Sequence, residues 1–178
     1  MEDALLPGDR ILVQTFPPHV PKRGELIVFM SPMNRGESIV KRVIAVPGDH
    51  IRISRKVVIL NGTALDEKYV VHKAGVDNFY PDDLPSQAEI PGCAEGTVMF
   101  SQHIMNGEIV VPEGAYFVLG DNRGNSLDSR CYGFVDKGDL VGRALMIYDS
   151  ADETTEQKLH PGLRWPEQTR WSRLFEVF

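Results

Sequence analysis

Two segments carry side chains whose types and spacing suit acid–base chemistry. The first is Ile39-Val40-Lys41-Arg42-Val43-Ile44-Ala45-Val46-Pro47-Gly48-Asp49. If it is a strand, alternate residues share a face, so Lys41 lies between Ile39 and Val43 while Arg42 lies with Val40 and Ile44. Apolar neighbours strip water from a lysine, disfavour its charged form and lower its pKa. A neutral amine accepts a proton from a hydroxyl, which makes Lys41 a candidate general base. The other reading is a lysine whose stem covers apolar surface while its ammonium reaches water. The second segment is Gly120-Asp121-Asn122-Arg123-Gly124-Asn125-Ser126-Leu127-Asp128-Ser129-Arg130, directly after an apolar run ending at Leu119. A calcium loop fails here, because Arg123 takes the third ligand position and the fixed glycine and distal glutamate are misplaced. A polar loop closed by its own Asp and Asn side chains is one alternative. In the other, Ser126 beside Asp128 and Arg130 supplies hydroxyl and ionic groups that fix a neighbour's orientation.

Little else suggests a ligand. His19, His50, His72, His103 and His160 are scattered without HExxH spacing, and there is no CxxC. The glycines form neither GxGxxG nor a phosphate loop. No metal and no cofactor is implied.

The elements that must position these groups read as strands. Ile11 to Val13, Leu26 to Phe29, Ile39 to Val46, Ile51 to Ile53, Val57 to Leu60, Ile109 to Val111 and Tyr116 to Leu119 are short and rich in β-branched residues. Each is bounded by Gly, Pro, Asn or Asp. Asn61-Gly62 and Asn106-Gly107 are hairpin signals, because both central turn residues need positive φ. No stretch keeps a helical apolar period for three turns before Gln168, so the fold class is mostly β. Ala74 to Gly96, with Pro81, Pro85 and Pro91, reads as a long loop, and acidic Ser150 to His160 as a mobile connection.

Composition narrows the function classes. The 178 residues are enough for one domain, or one domain carrying a small subdomain. A net charge of −6 argues against general nucleic-acid binding, which leaves a basic footprint. The longest apolar runs, such as Leu26 to Met30, are five residues, against about 20 for a spanning helix. Acids rather than a basic and then apolar stretch follow Met1, so no secretory signal is expected. Cys93 and Cys131, far apart and in no motif, read as free thiols.

Taken together, these segments resemble bacterial type I signal peptidase, the serine–lysine leader peptidase. The family pattern SM-x-P-T-L-x-x-GDRILV resembles Met1 to Val13, with Asp3 and Ala4 in place of Pro-Thr. PKRGELIVFMSP (Pro21 to Pro32) is similar to the following strand, and KRVIAVPGD (Lys41 to Asp49) to the box with the family's catalytic lysine. GDNRGNSLDSRCYGFV (Gly120 to Val135) resembles the last box nearly residue for residue, with Cys131 where an aromatic is usual. DLVGRALMIY (Asp139 to Tyr148) and the RWSR ending fit as well.

The resemblance implies a signal-peptidase-like β core, 1–49 plus 111–178, with an inserted β-ribbon subdomain over 50–110. It implies a serine endopeptidase that cleaves signal peptides from exported preproteins after a small-x-small (Ala-x-Ala) motif, at the outer face of the cytoplasmic membrane. Lys41 would be the general base, Ser126 would orient it, and Asp128, Arg130 and Arg42 would support the site. Met1, Leu5, Ile11, Val28, Ile39 and Val40 would line the pocket for small side chains. Signal peptides and a membrane lipid surface would be the partners, with no nucleic acid and no cofactor. Trp165 and Trp171, interleaved with arginines, suit a membrane interface; packing on the core is the other reading.

The family's nucleophilic serine stands immediately before the methionine that aligns with Met1, a position this chain does not include. The expectation is that these residues alone form a soluble, inactive portion of a membrane-anchored peptidase. Ser31, Ser38 and Ser129 read as turn or strand residues. A catalytically dead signal-peptidase-like binding protein is the alternative. A repressor-type autoprotease is disfavoured by the Gly120–Arg130 box and by the lack of a DNA-binding region.

Overall fold

The computed structural model describes residues 1, 3–73, 83–85, 93–151 and 169–178, with side chains 94 and 95 left out. The strands are β1 Asp9–Gln14, β2 Leu26–Met30, β3 Ser38–Ala45, β4 His50–Ser54, β5 Val57–Leu60 and β6 Thr63–Ala64, followed by β7 Ile104–Met105, β8 Glu108–Val110, β9 Ala115–Leu119, β10 Val135–Asp136 and β11 Leu140–Ser150. Among the described residues, two short helices, α1 Ala94–Ser101 and α2 Ser129–Tyr132, complete the regular structure apart from single 3-10 turns. The fold is mostly β.

The strands form two antiparallel sheets, one ordered β1-β11-β2-β3-β9-β10 and the other β6-β5-β4-β8-β7. Interior strands β2 and β9 are buried almost throughout, whereas β1, at one edge, alternates between exposed and half-buried. Asn61-Gly62 and Asn106-Gly107 close the β5–β6 and β7–β8 hairpins with positive φ at all four residues. The largest apolar cluster joins both sheets, setting Ile44, Phe117 and Leu119 against Ile51, Val58 and Ile109. Phe100 of α1 enters it edge-on to Phe134, at 5.2 Å between ring centroids.

The chain passes from the first sheet to the second at Pro47-Gly48-Asp49. Gly48 turns with φ +84°, which a side chain would disfavour. Buried Asp49 then accepts from the Val46 N–H at 2.9 Å, Asn61 Nδ2 at 2.8 Å and Arg23 Nε at 2.7 Å. Burial alone would raise the Asp49 pKa. The Arg23 guanidinium, the Asn61 amide and the Val46 N–H outweigh it and hold the carboxyl below its ordinary range.

Two expectations are corrected. Cys93 and Cys131 are joined in a disulfide, with Cα atoms 4.4 Å apart. Separation in sequence is no guide here, because α1 packs directly on α2. Gly96 makes that approach possible: a Cβ there would lie 2.3 Å from the Cys131 carbonyl oxygen. Residues 94–96, expected in a loop, open α1, a helix too short to show a sustained apolar period. Of the rest of that loop, 74–82 and 86–92 lie outside the described residues, while Leu84 is buried and pairs with Ile53. The expected acidic connection also lies outside them from residue 152 to 160.

The last residues return to the first sheet. Phe175 N–H donates to the Ile147 carbonyl at 2.8 Å, and Phe178 N–H to that of Leu145 at 3.1 Å. Arg173 donates to the Asp9 carboxylate at 2.7 Å and to the Ala4 carbonyl at 2.8 Å, which fixes the start of the chain to its end.

Because the disulfide staples the residue before α1 to α2, its removal should loosen both helices. Cys93→Ser/Cys131→Ser should lower unfolding stability by about 2–4 kcal/mol, measured by urea titration of the oxidised wild type and the double variant. A difference below about 0.5 kcal/mol would show that packing alone joins the helices.

Candidate active site

The strand pattern of β3 delivers Lys41 as the alternation requires, between Ile39 and Val43, which both belong to one apolar cluster with Ile27, Phe29 and Val118. Its neighbour in the sheet, β9, leads into the Gly120–Arg130 loop, which doubles back over β3. Lys41 Nζ thereby meets Ser126 Oγ and donates to it at 3.1 Å. The approach depends on Gly120: a Cβ there would lie 2.0 Å from Ser126 Oγ and 3.6 Å from Lys41 Nζ.

The loop is held from within. Asp128, fully buried, takes two guanidinium bonds from Arg130, both at 2.9 Å, and the Arg130 N–H at 3.2 Å as the cap of α2. Its second oxygen also accepts the Gly120 N–H at 3.1 Å. Arg130 reaches back to the Arg123 carbonyl at 3.0 Å, and Ser129 Oγ accepts the Val118 N–H at 2.9 Å. On the same strand as Lys41, Arg42 forms a two-pronged pair with buried Asp121, at 2.8 and 2.6 Å. The Arg42 guanidinium also lies 4.1 Å above the Tyr69 ring centre.

These contacts set the charges. Burial pushes the Lys41 pKa down, Arg130 adds to that effect, and Asp128 and Asp121 oppose it without reversing it. Burial alone would raise the Asp128 pKa, but Arg130, the Gly120 N–H and Lys41 together hold it below the usual carboxylate range. A neutral amine has two N–H bonds and one lone pair. With one N–H given to Ser126, the lone pair is left for an incoming hydroxyl proton.

The six apolar residues expected to line a pocket do not all meet. Met1, Ile11 and Val40 pack against buried Val28, in one cluster with Leu26, Ala144, Val13 and Phe178. Ile39 packs in the other cluster, because consecutive strand residues point to opposite faces. Leu5 is half-buried in the opening turn, its N–H donating to the Met1 carbonyl at 2.8 Å. Trp171 is 65% exposed and so does not pack into the core, while Trp165 lies outside the described residues. Among the described residues, no cluster of His, Cys, Asp or Glu has metal-binding geometry, and no helix is long and apolar enough to cross a membrane.

Several residues of the site had no sequence signal. Asp121 stands in a loop rich in acids and amides, and nothing in the sequence couples it to Arg42. Gly120 reads as an ordinary turn glycine. Glu67, Tyr69 and Val71 come from a segment without periodicity, yet they pack on the loop. Only the dense order of charges in Gly120–Arg130 hinted that the loop was built rather than free.

Comparison with known proteins shows the family. The family model described as signal peptidase, peptidase S26, matches residues 1–149. A probable signal peptidase I-2 from Synechocystis is 33% identical over 83% of this chain, and a signal peptidase I from Aquifex aeolicus is 32% identical over 84%. The chain spans 58% of the length of the first and 72% of the second. The crystal structure of a signal peptidase I from Enterococcus faecalis matches with a TM-score of 0.50 and 31% identity, covering 70% of this chain and 97% of that one. A family match over residues 1–149, together with a mostly β fold shared with a signal peptidase I structure, means that this chain belongs to the signal peptidase (peptidase S26) family.

Proposed function

We propose that the site serves a serine endopeptidase that cuts signal peptides after a small-x-small sequence, with Lys41 as the general base. The observation that carries this reading is the buried Lys41 amine, hydrogen-bonded to Ser126 at 3.1 Å with its pKa pushed down. In the family the nucleophilic serine precedes the methionine aligned with Met1. Its hydroxyl proton passes to Lys41 as oxygen attacks the scissile carbonyl, and the lysine returns that proton to the leaving amine. Water then hydrolyses the acyl-enzyme by the same lysine. Ser126 orients the base. Asp128 and Arg130 hold Ser126 in place, and Arg42 with Asp121 anchors the start of the loop.

The pocket of this proposal draws on Met1, Leu5, Ile11, Val28, Ile39 and Val40, of which Met1, Ile11, Val28 and Val40 pack together and Ile39 lies on the same side of β3 as Lys41. Close apolar walls admit alanine and reject bulky side chains by sterics, which suits the cleavage motif. The disulfide supports an oxidising, extracytoplasmic setting. Trp171, Phe175 and Val177, which are 65%, 69% and 74% exposed, support a lipid surface as the neighbour of the C-terminal segment.

The chain extended at its amino end by serine should cleave an Ala-x-Ala peptide. Lys41→Ala should lower kcat by about 100-fold or more, and Gly120→Ala, which drives Ser126 off the lysine, should lower it by at least about tenfold. Turnover retained in Lys41→Ala would refute the assignment. Separately, Trp165→Ala/Trp171→Ala should weaken sedimentation with anionic vesicles; unchanged sedimentation would refute a lipid-facing role for these rings.

A further inference from the structure

The loop that carries Ser126 is gripped from outside as well as from within, by residues 67–71, which follow β6. Val71 runs beside the loop: its N–H donates to the Asp121 carbonyl and its carbonyl accepts the Arg123 N–H, both at 2.9 Å. The Glu67 carboxylate takes two bonds from the Arg123 guanidinium, at 2.6 and 3.2 Å, and a third from the Tyr69 hydroxyl at 2.8 Å. The Arg123 and Glu67 side chains are only 5% and 9% exposed, so the pair is sealed from water. With its remaining edge, Arg123 Nε donates to the Gly120 carbonyl at 3.1 Å.

Gly120 is therefore fixed at both ends. Asp128 holds its N–H and Arg123 holds its carbonyl. The same carboxylate also anchors Tyr69, whose ring underlies the Arg42 partner of Asp121. Glu67 thus ties down both arms of the loop, and Gly120 is the residue whose bare Cα lets Ser126 reach the lysine.

We propose that Glu67 is a positioning residue of the active site, acting through Arg123 and the Gly120 carbonyl to hold Ser126 on Lys41. The proposal rests on the reading of Lys41 and Ser126 as the working pair. Neutralising Glu67 leaves a buried guanidinium without its counter-charge, which destabilises that arrangement strongly. Arg123 then turns toward water, the Gly120 carbonyl loses its donor, and the loop lifts enough to hydrate the Lys41 amine.

Hydration and charge make opposite predictions, so one measurement separates them. The charges around Lys41 are Asp128, Arg130 and Asp121, and Glu67 is not among them. Any direct effect of losing an acidic charge, or of freeing Arg123, would push the lysine pKa further down. Loss of positioning restores water and pushes it up. The experiment is titration of the Lys41 amine by nitrogen-15 NMR in the chain itself, in wild type and in Glu67→Gln. The expected result is an upward shift of the midpoint in Glu67→Gln, with the fold checked by its amide spectrum. Should Glu67→Gln fail to fold, Glu67→Asp, which keeps the charge on a shorter stem, carries the same expectation to a smaller extent. A folded variant whose midpoint is unchanged or lower overturns the proposal while leaving the reading of the site intact. A wild-type midpoint in the ordinary lysine range overturns that reading, and the proposal with it.

Discussion

The hydrogen bond from Lys41 to Ser126 joins a strand to a loop 85 residues further along the chain, and it forms because Gly120 has no side chain. Most of the site follows from keeping that amine out of water. A lysine whose folded pKa lies below its unfolded value binds fewer protons when folded, over the window between the two values. Stability rises with pH across that window, and below the folded pKa the cost is at its full value. At neutral pH, well below the ordinary lysine value, the lowered pKa of Lys41 is thus a standing cost. The lysine is held by contacts that do not involve it: the Asp128–Arg130 pair, the Arg42–Asp121 pair and the ladder between β3 and β9.

The same constraint accounts for how the second sheet is joined to the first. A loop that must hold a hydroxyl against a buried amine tolerates little movement, since a displacement of about 1 Å would break a 3.1 Å contact. The chain between β3 and β9 supplies three braces. One is the shared core, with Phe100 and Ile109 packed near Phe117. Another is the disulfide, whose Cys131 lies three residues after Asp128. The last is the Glu67–Val71 strap. All bear on the segment that carries Ser126 and Asp128, so these residues do more than occupy a flank of the molecule.

Much of this was legible in the sequence, and the failures have physical causes. Runs of β-branched residues bounded by turn signals located β1 to β5, β8 and β9, because half-buried strands leave a local signature. Alternation along β3 placed Lys41 between Ile39 and Val43. The resemblance to the signal peptidase family, carried chiefly by the Gly120–Val135 box, singled out Ser126 and Asp128. What stayed hidden depends on proximity in space. The α1 helix spans about two turns and carries Gly96 inside it, a poor helix former whose value lies in letting α2 come close. The pairing of Cys93 with Cys131 follows from that contact and from nothing nearer in sequence.

The pH dependence of kcat/KM for the serine-extended chain on an Ala-x-Ala peptide bears most directly on the role given to Lys41. A base that must be neutral to act produces a rate that falls as pH drops through its pKa. Desolvation against Ser126 places that fall below the ordinary lysine value of about 10.4, and Lys41→Ala should remove both the activity and the inflection. A limb that inflects at the ordinary lysine value, or a rate with no inflection anywhere below that value, would contradict the account.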